Sequence, residues 1–210
     1  MSTLLVIAKE PRPGRVKTRL TPPFSPADAA RLAEAALADT LEAVRATPAR
    51  RHVLVLAGAP GPWLPAGFDV VPQVPGGLDE RLAAAFASCG PGPALLIGMD
   101  TPQVTPELLT HGLDFAHGTD ARFGPAADGG FWALGLATPD PSLLRGVPMS
   151  RPDTGRTQRH RLTAAGLTVR DLPVLRDVDT AADASAVATE APHSRFATLH
   201  ATLTARGDTW

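Results

Sequence analysis

Lys9, Arg12, Arg15, Lys17 and Arg19 place five positive side chains in the segment KEPRPGRVKTR, which also carries Pro11, Pro13 and Gly14 and directly follows an apolar run. Cations on a loop most often form a solvated face. Position argues for more here, because a loop between a buried strand and a helix already offers an anion backbone N–H groups and a helix N-terminus. Gly14 lets the backbone come close to a ligand. Arg15, Lys17 and Arg19 alternate along the chain, so an extended segment would show all three on one side. That pattern suits the phosphates of a nucleotide. The stretch GRVKTR lacks the G-x-x-x-x-G-K-[ST] spacing of a P-loop, which disfavours a Walker-type ATPase.

Carboxylates supply the complementary chemistry. Asp100 in LLIGMDTP ends an apolar run; it either shapes a turn or holds Mg2+ or Mn2+ against phosphate, since hard cations take oxygen ligands. A second metal ligand is expected from LRDVDTAAD, where Asp179 is the choice and Asp177 its rival. Asp179 precedes Thr180 and a helical pattern, so capping competes with metal binding there. Asp128 in AADGGFW stands before Gly129 and Gly130; it is read as a substrate contact or base, with the glycines on the acceptor side, against the alternative of a plain turn. In VPGGLDERL, Gly76 and Gly77 precede a helix start at which Arg81 sits among acids, and all three are assigned to the nucleotide. Asp128 and Lys17 are the candidate catalytic residues. The six histidines are scattered, and the single cysteine, Cys89, is expected to be buried and unreactive.

These residues need a rigid frame. TLLVIA (3–8), HVLVLAG (52–58) and ALLIGMD (94–100) are continuous apolar runs, the signature of strands buried on both faces of a parallel sheet, and FDVVPQ (68–73) is a shorter one. Ser25 and Pro26 open an amphipathic helix with Leu32, Ala36, Leu37, Leu41 and Val44 on one face. Thr105, Pro106 and Glu107 open another, and DERLAAAFAS (79–88), TGRTQRHRLTAAG and TAADASAVATE read as helices. ARFGPA and GFWALGL flank the ADGG break as two strands, and TVRDLPV is a late one. Alternating strands and helices predict an α/β fold with a mainly parallel sheet covered on both faces, and ligands in such sheets bind beyond the carboxyl ends of the strands. One domain spanning 1–210 is expected, with its core at about 3–190 and a helical tail at about 194–206.

Composition narrows the partners. A net charge of −1 and a pI near 6.6 argue against nucleic acid as the main partner. No run approaches the roughly 18 apolar residues of a membrane span, and the lone cysteine fits a reducing cytoplasm.

The ordered blocks AKEPRPGRVKTRL, GGLDERLAAAF, LLIGMDTPQVTPELL, GPAADGGFWALGL and LRDVDTAADASAV resemble the bacterial cofC-like, or DUF2064, family of the glycosyltransferase-A superfamily, from the first strand to about Val187. The resemblance implies a nucleotide-diphospho-sugar transferase (GT-A) fold. It implies nucleotide contacts at Gly14, Arg15, Lys17 and Arg19, a metal on Asp100, and acceptor contacts at Asp128, Gly129 and Gly130. The implied activity is a metal-dependent transfer from a nucleotide-diphospho-sugar to a small acceptor. The family is also similar to guanylyltransferases that activate phospholactate, so nucleotidyl transfer from an NTP is the second reading, and a non-catalytic nucleotide-binding module the third. Phe131 stands where the family often has an aromatic hydroxyl, and Gln103 where it often has an acid.

Overall fold

The computed structural model describes residues 2–207. Its sheet has seven strands: β1 (Thr3–Lys9), β2 (Arg51–Ala57), β3 (Phe68–Pro72), β4 (Ala94–Ile97), β5 (Ala121–Pro125), β6 (Phe131–Leu136) and β7 (Val169–Asp171). They lie in the order β3-β2-β1-β4-β6-β5-β7. β6 runs antiparallel to both β4 and β5, and the other pairings are parallel. The mixed α/β architecture expected from the alternating pattern is therefore present.

Alternation along the strands sends side chains to two cores. Leu4, Val6, Leu54, Leu56, Leu95 and Ile97 face α1 (Pro26–Ala46) and α3 (Pro106–Gly112), meeting Leu37, Leu41 and Val44 of α1. Leu5, Val53, Val55, Leu96 and Leu134 face the other way, onto α2 (Leu78–Ala87) and α4 (Thr154–Ala164) through Leu82, Phe86 and Leu162. Each such side chain contributes about 1.5–3 kcal/mol on burial. A third cluster joins α1 to α5 (Ala181–Glu190) and α6 (Arg195–Gly207) through Leu32, Val187, Phe196 and Leu203. Helix starts use the expected caps: Ser25 Oγ accepts from Asp28 N–H at 3.1 Å, and Thr105 Oγ1 accepts from Leu108 N–H at 3.2 Å.

Two local expectations are corrected. The 94–100 run is strand only to Ile97, because Gly98 N–H turns to Trp132 O at 3.1 Å, so Asp100 lies in the loop beyond β4. The basic loop is not extended either. Gly14 has φ 71°, Lys17 sits in the left-handed region at φ 49°, and Thr18–Leu20 form a short 3-10 helix, so one-sided presentation by simple alternation fails. Turns do the gathering instead.

Candidate functional site

The β1–α1 loop, the residues after β4, the β5–β6 turn and the segment after β7 meet beyond the carboxyl ends of β1 and β4. They enclose a cavity of about 510 Å3. Its cations are Lys9, Arg15, Lys17, Arg19, Arg81 and Arg151, and its acids are Asp100, Asp128, Asp177 and Asp179. Arg15, Lys17, Arg19, Arg81, Asp100, Asp128, Gly130 and Asp179, all singled out from the sequence, line this space together.

The electrostatic arrangement is paired. Lys17 Nζ lies 2.8 Å from Asp100 Oδ2, and its side chain is only 10% exposed. Arg19 Nη1 lies 2.6 Å from Asp179 Oδ2, a bond that raises the arginine's pKa further. Asp128 Oδ1 accepts from Gly130 N–H at 2.7 Å, which closes its turn and fixes the carboxylate. Arg81 Nε donates to Gly76 O at 2.9 Å. Arg15 and Arg151 have no carboxylate partner among the described residues.

Asp177 is the acid whose setting the sequence leaves open. Burial raises its pKa first, and the charges of Asp128 and Asp100 add to this while Lys17 opposes it. Val178 N–H donates to Asp100 O at 2.9 Å, and Gln103 Nε2 donates to Arg176 O at 2.6 Å, so the segment after β7 is stitched to the loop after β4. Gln103 thus has a structural task at the position where the resembled family often carries an acid. The stitching puts Asp177 among the acids, whereas Asp179 is turned to Arg19.

Among the described residues no three His, Cys, Asp or Glu side chains form a group able to hold a metal by themselves. The donor chemistry nonetheless fits a hard cation. Asp177 feels the charges of Asp128 and Asp100, which a divalent ion would relieve, and ions of this class keep waters and accept phosphate oxygens to complete their shell.

Several glycines serve capping and packing. Gly14, Gly76, Gly77 and Gly129 lie outside the cavity lining. Gly76, at φ 113°, admits Glu80, whose Oε2 accepts from Gly77 N–H at 2.9 Å and caps α2. A Cβ on Gly129, at φ 88°, would stand 1.9 Å from Pro152 O, so the space there is filled by protein backbone. Sequence reasoning missed Gln73 and Arg151. Gln73 Nε2 bridges Ala8 O at 2.8 Å and Val55 O at 3.1 Å, tying β1 to β2 at the cavity floor. Neither residue sits in a recognisable pattern, and only their placement reveals them. Cys89 is buried as expected, and burial pushes its thiol up to about 11. No helix among the described residues is long and apolar enough to cross a membrane.

Residues 28–151 match the profile of a family described as "Uncharacterized protein conserved in bacteria (DUF2064)". The chain is 35% identical over 178 residues to a phosphoenolpyruvate guanylyltransferase of Geodermatophilus obscurus, covering 80% of each chain. A crystal structure from Desulfovibrio desulfuricans G20, provisionally named a nucleotide-diphospho-sugar transferase, matches at a TM-score of 0.84 and 27% identity, over 99% of this chain and 95% of that one. Rv0371c of Mycobacterium tuberculosis H37Rv, crystallised with manganese, shares the fold at a TM-score of 0.50 and 24% identity, over 89% of this chain and 96% of that one. The fold is nucleotide-diphospho-sugar transferase-like, and the relatives point to a general transferase activity.

Proposed function

The chain belongs to the DUF2064 family, and on that premise we propose that it is a nucleotidyltransferase. It takes a nucleoside triphosphate, joins the nucleoside monophosphate to a small phosphorylated acceptor, and releases pyrophosphate. The observation that carries this reading is the set Arg15, Lys17 and Arg19 at the rim of a cavity whose acids include Asp100 and Asp177. Cations so placed match the charge of a triphosphate more fully than that of a diphosphate. The sequence alone ranks glycosyl transfer first. The 35% identity to a protein named for guanylyl transfer moves the weight to nucleotidyl transfer.

In this reading Arg15, Lys17 and Arg19 grip the β- and γ-phosphates through charge-assisted hydrogen bonds. Asp100, with Asp177 and Asp179 as the further carboxylates, would hold Mg2+ or Mn2+, which neutralises phosphate charge and polarises the α-phosphorus; manganese accompanies Rv0371c. An acceptor phosphate oxygen attacks the α-phosphorus, the bond from that phosphorus to the bridging oxygen breaks, and pyrophosphate leaves with the electron pair. Lys17, already beside Asp100, stabilises that leaving charge. A phosphate nucleophile is ionised at neutral pH and needs no base, so with such an acceptor Asp128 has no proton to take. Were the nucleophile a hydroxyl, Asp128 would be its base.

Glycosyl transfer from a nucleotide sugar is the second reading, favoured by the provisional name of the Desulfovibrio relative. Products separate the two. Offered NTPs, nucleotide sugars and phosphorylated small acids with Mn2+, the protein is expected to release pyrophosphate from an NTP. Release of a nucleoside diphosphate from a sugar donor would replace this reading with the second, and stable binding without either product would leave a nucleotide-binding module.

A further inference from the structure

The residues just beyond β4 each meet a different partner. Lys9 ends β1 past the last β4 pairing, and its N–H donates to Met99 Sδ at 3.2 Å. Asp100 takes the Lys17 ammonium at 2.8 Å. Thr101 takes nothing: the residue is 1% exposed, and its Oγ1 is buried with no hydrogen-bond partner. Its backbone is nonetheless fixed, since Thr101 O accepts from Val104 N–H at 3.1 Å across a turn that contains Pro102.

The other buried threonine of the cavity shows what a structural hydroxyl does here. Thr154, 5% exposed, donates through Oγ1 to Pro148 O at 2.8 Å and accepts there from Arg151 N–H at 3.0 Å. It thereby holds the 148–155 segment against the β5–β6 turn, where Gly155 N–H donates to Gly129 O at 2.8 Å and a Cβ on Gly155 would lie 2.3 Å from Gly130 O. Away from the cavity, Thr40 and Thr47 donate to Ala36 O and Ala43 O at 2.9 and 2.8 Å. Among the described residues the buried side-chain atoms without a partner are Thr101 Oγ1, Gln103 Oε1, Thr119 Oγ1 and Gln158 Oε1, and of these residues only Thr101 lines the cavity.

An unpaired buried hydroxyl opposes folding, and in the wall of a site it calls for a partner that arrives with the substrate. Rotation about the Cα–Cβ bond exchanges the hydroxyl with the methyl, so the oxygen can turn to the cavity without backbone movement. Resting on the nucleotide-binding reading of this cavity, we infer that Thr101 donates its hydroxyl to a phosphate oxygen of the bound nucleotide, beside the cation that Asp100 would hold. A neutral donor suits that place. Lys17 and Arg19 already spend charge on Asp100 and Asp179, whereas Thr101 gives up no bond to reach a phosphate.

Melting and calorimetry on Thr101→Val and Thr101→Ser test this. Without ligand, Thr101→Val should melt higher than the parent, because valine keeps the branched shape and removes the orphan oxygen. With Mn2+ present the same variant should bind GTP about tenfold to a hundredfold more weakly, the worth of a hydrogen bond to a charged group, while binding Mn2+ alone as the parent does. Thr101→Ser restores the hydroxyl and should keep most of the parent's GTP affinity. A Thr101→Val variant that melts lower would mean that the oxygen is already bonded in the free protein, to a trapped water or to protein, and would overturn the inference. So would unchanged GTP binding in Thr101→Val, an equal loss in Thr101→Ser, or weakened binding of Mn2+ alone, which would move the hydroxyl to the ion. If the parent binds a nucleotide sugar and no NTP, nucleotidyl transfer falls, and the same comparison made with that donor scores Thr101 on its diphosphate. A parent that binds neither would end both.

Discussion

Lys17 and Asp100 form an ion pair within the protein, and that contact makes a cation and a nucleotide depend on each other. With Lys17 Nζ at 2.8 Å, Asp100 is neutralised by protein, and an arriving divalent ion must compete with an ammonium that is 10% exposed and fixed by a left-handed backbone. Triphosphate offers that ammonium another partner. Lys17→Met should therefore tighten Mn2+ binding measured without nucleotide, and weaken NTP binding in the presence of Mn2+ by about tenfold or more. Loosened Mn2+ binding in that variant would contradict the pairing argument. Asp177 gives a second expectation at this level. Burial and the charges of Asp128 and Asp100 raise its pKa in the folded protein, so its ionised form opposes folding, and the stability contributed by its protonated form is lost as pH rises through that pKa. Asp177→Asn should accordingly melt higher than the parent at pH 7 without metal, and the gap should close as pH falls below the raised pKa. A variant that melts lower at pH 7, or a gap that widens in acid, would refute this. Asp100 could be named from the sequence because it closes an apolar run, and Lys17 because it belongs to the basic loop that follows one. The division of labour between Asp177 and Asp179 could not, since it depends on Val178 N–H reaching Asp100 O across 78 positions.

The docking of the β5–β6 turn on the start of α4 explains why glycines stand where a substrate contact was expected. Gly129→Ala combines a positive φ with a Cβ placed 1.9 Å from Pro152 O. The strained backbone alone costs about 1–3 kcal/mol, and relief of the overlap must push the 148–155 segment away. Gly90 has a similar φ of 73° with nothing within 4 Å of its Cβ position, so Gly90→Ala is the control for backbone strain alone. Chemical denaturation should show Gly129→Ala clearly below Gly90→Ala; equal losses would mean that the two turns are not docked as described. Apolar runs, Ser25, Pro26, Thr105 and Pro106 made strands and helices legible in advance, because burial and capping are local in sequence. The end of β4 at Ile97 and the bends at Gly14 and Lys17 were not legible, because they are decided by Trp132 O and by turn geometry.

The protein as a whole carries a net charge of −1, yet gathers six cations and four carboxylates around one cavity at the strand ends. That local excess, and not the surface at large, is what the account assigns to substrate, so NTP binding should weaken with salt while a neutral nucleoside would barely respond. The order of the five motif blocks announced the fold and the rim of the cavity. The identity of the reaction lay outside it, because the same cations and acids serve a triphosphate or a diphospho-sugar. The direct test follows the phosphorus. GTP labelled at the α- or the γ-phosphate is incubated with Mn2+, phosphoenolpyruvate and the protein, with Asp100→Asn as the control. The account predicts α-label in a diphosphate joined to the acceptor, γ-label in pyrophosphate in equal amount, and neither product from Asp100→Asn. Both labels remaining in GTP while a nucleotide sugar yields nucleoside diphosphate would contradict it.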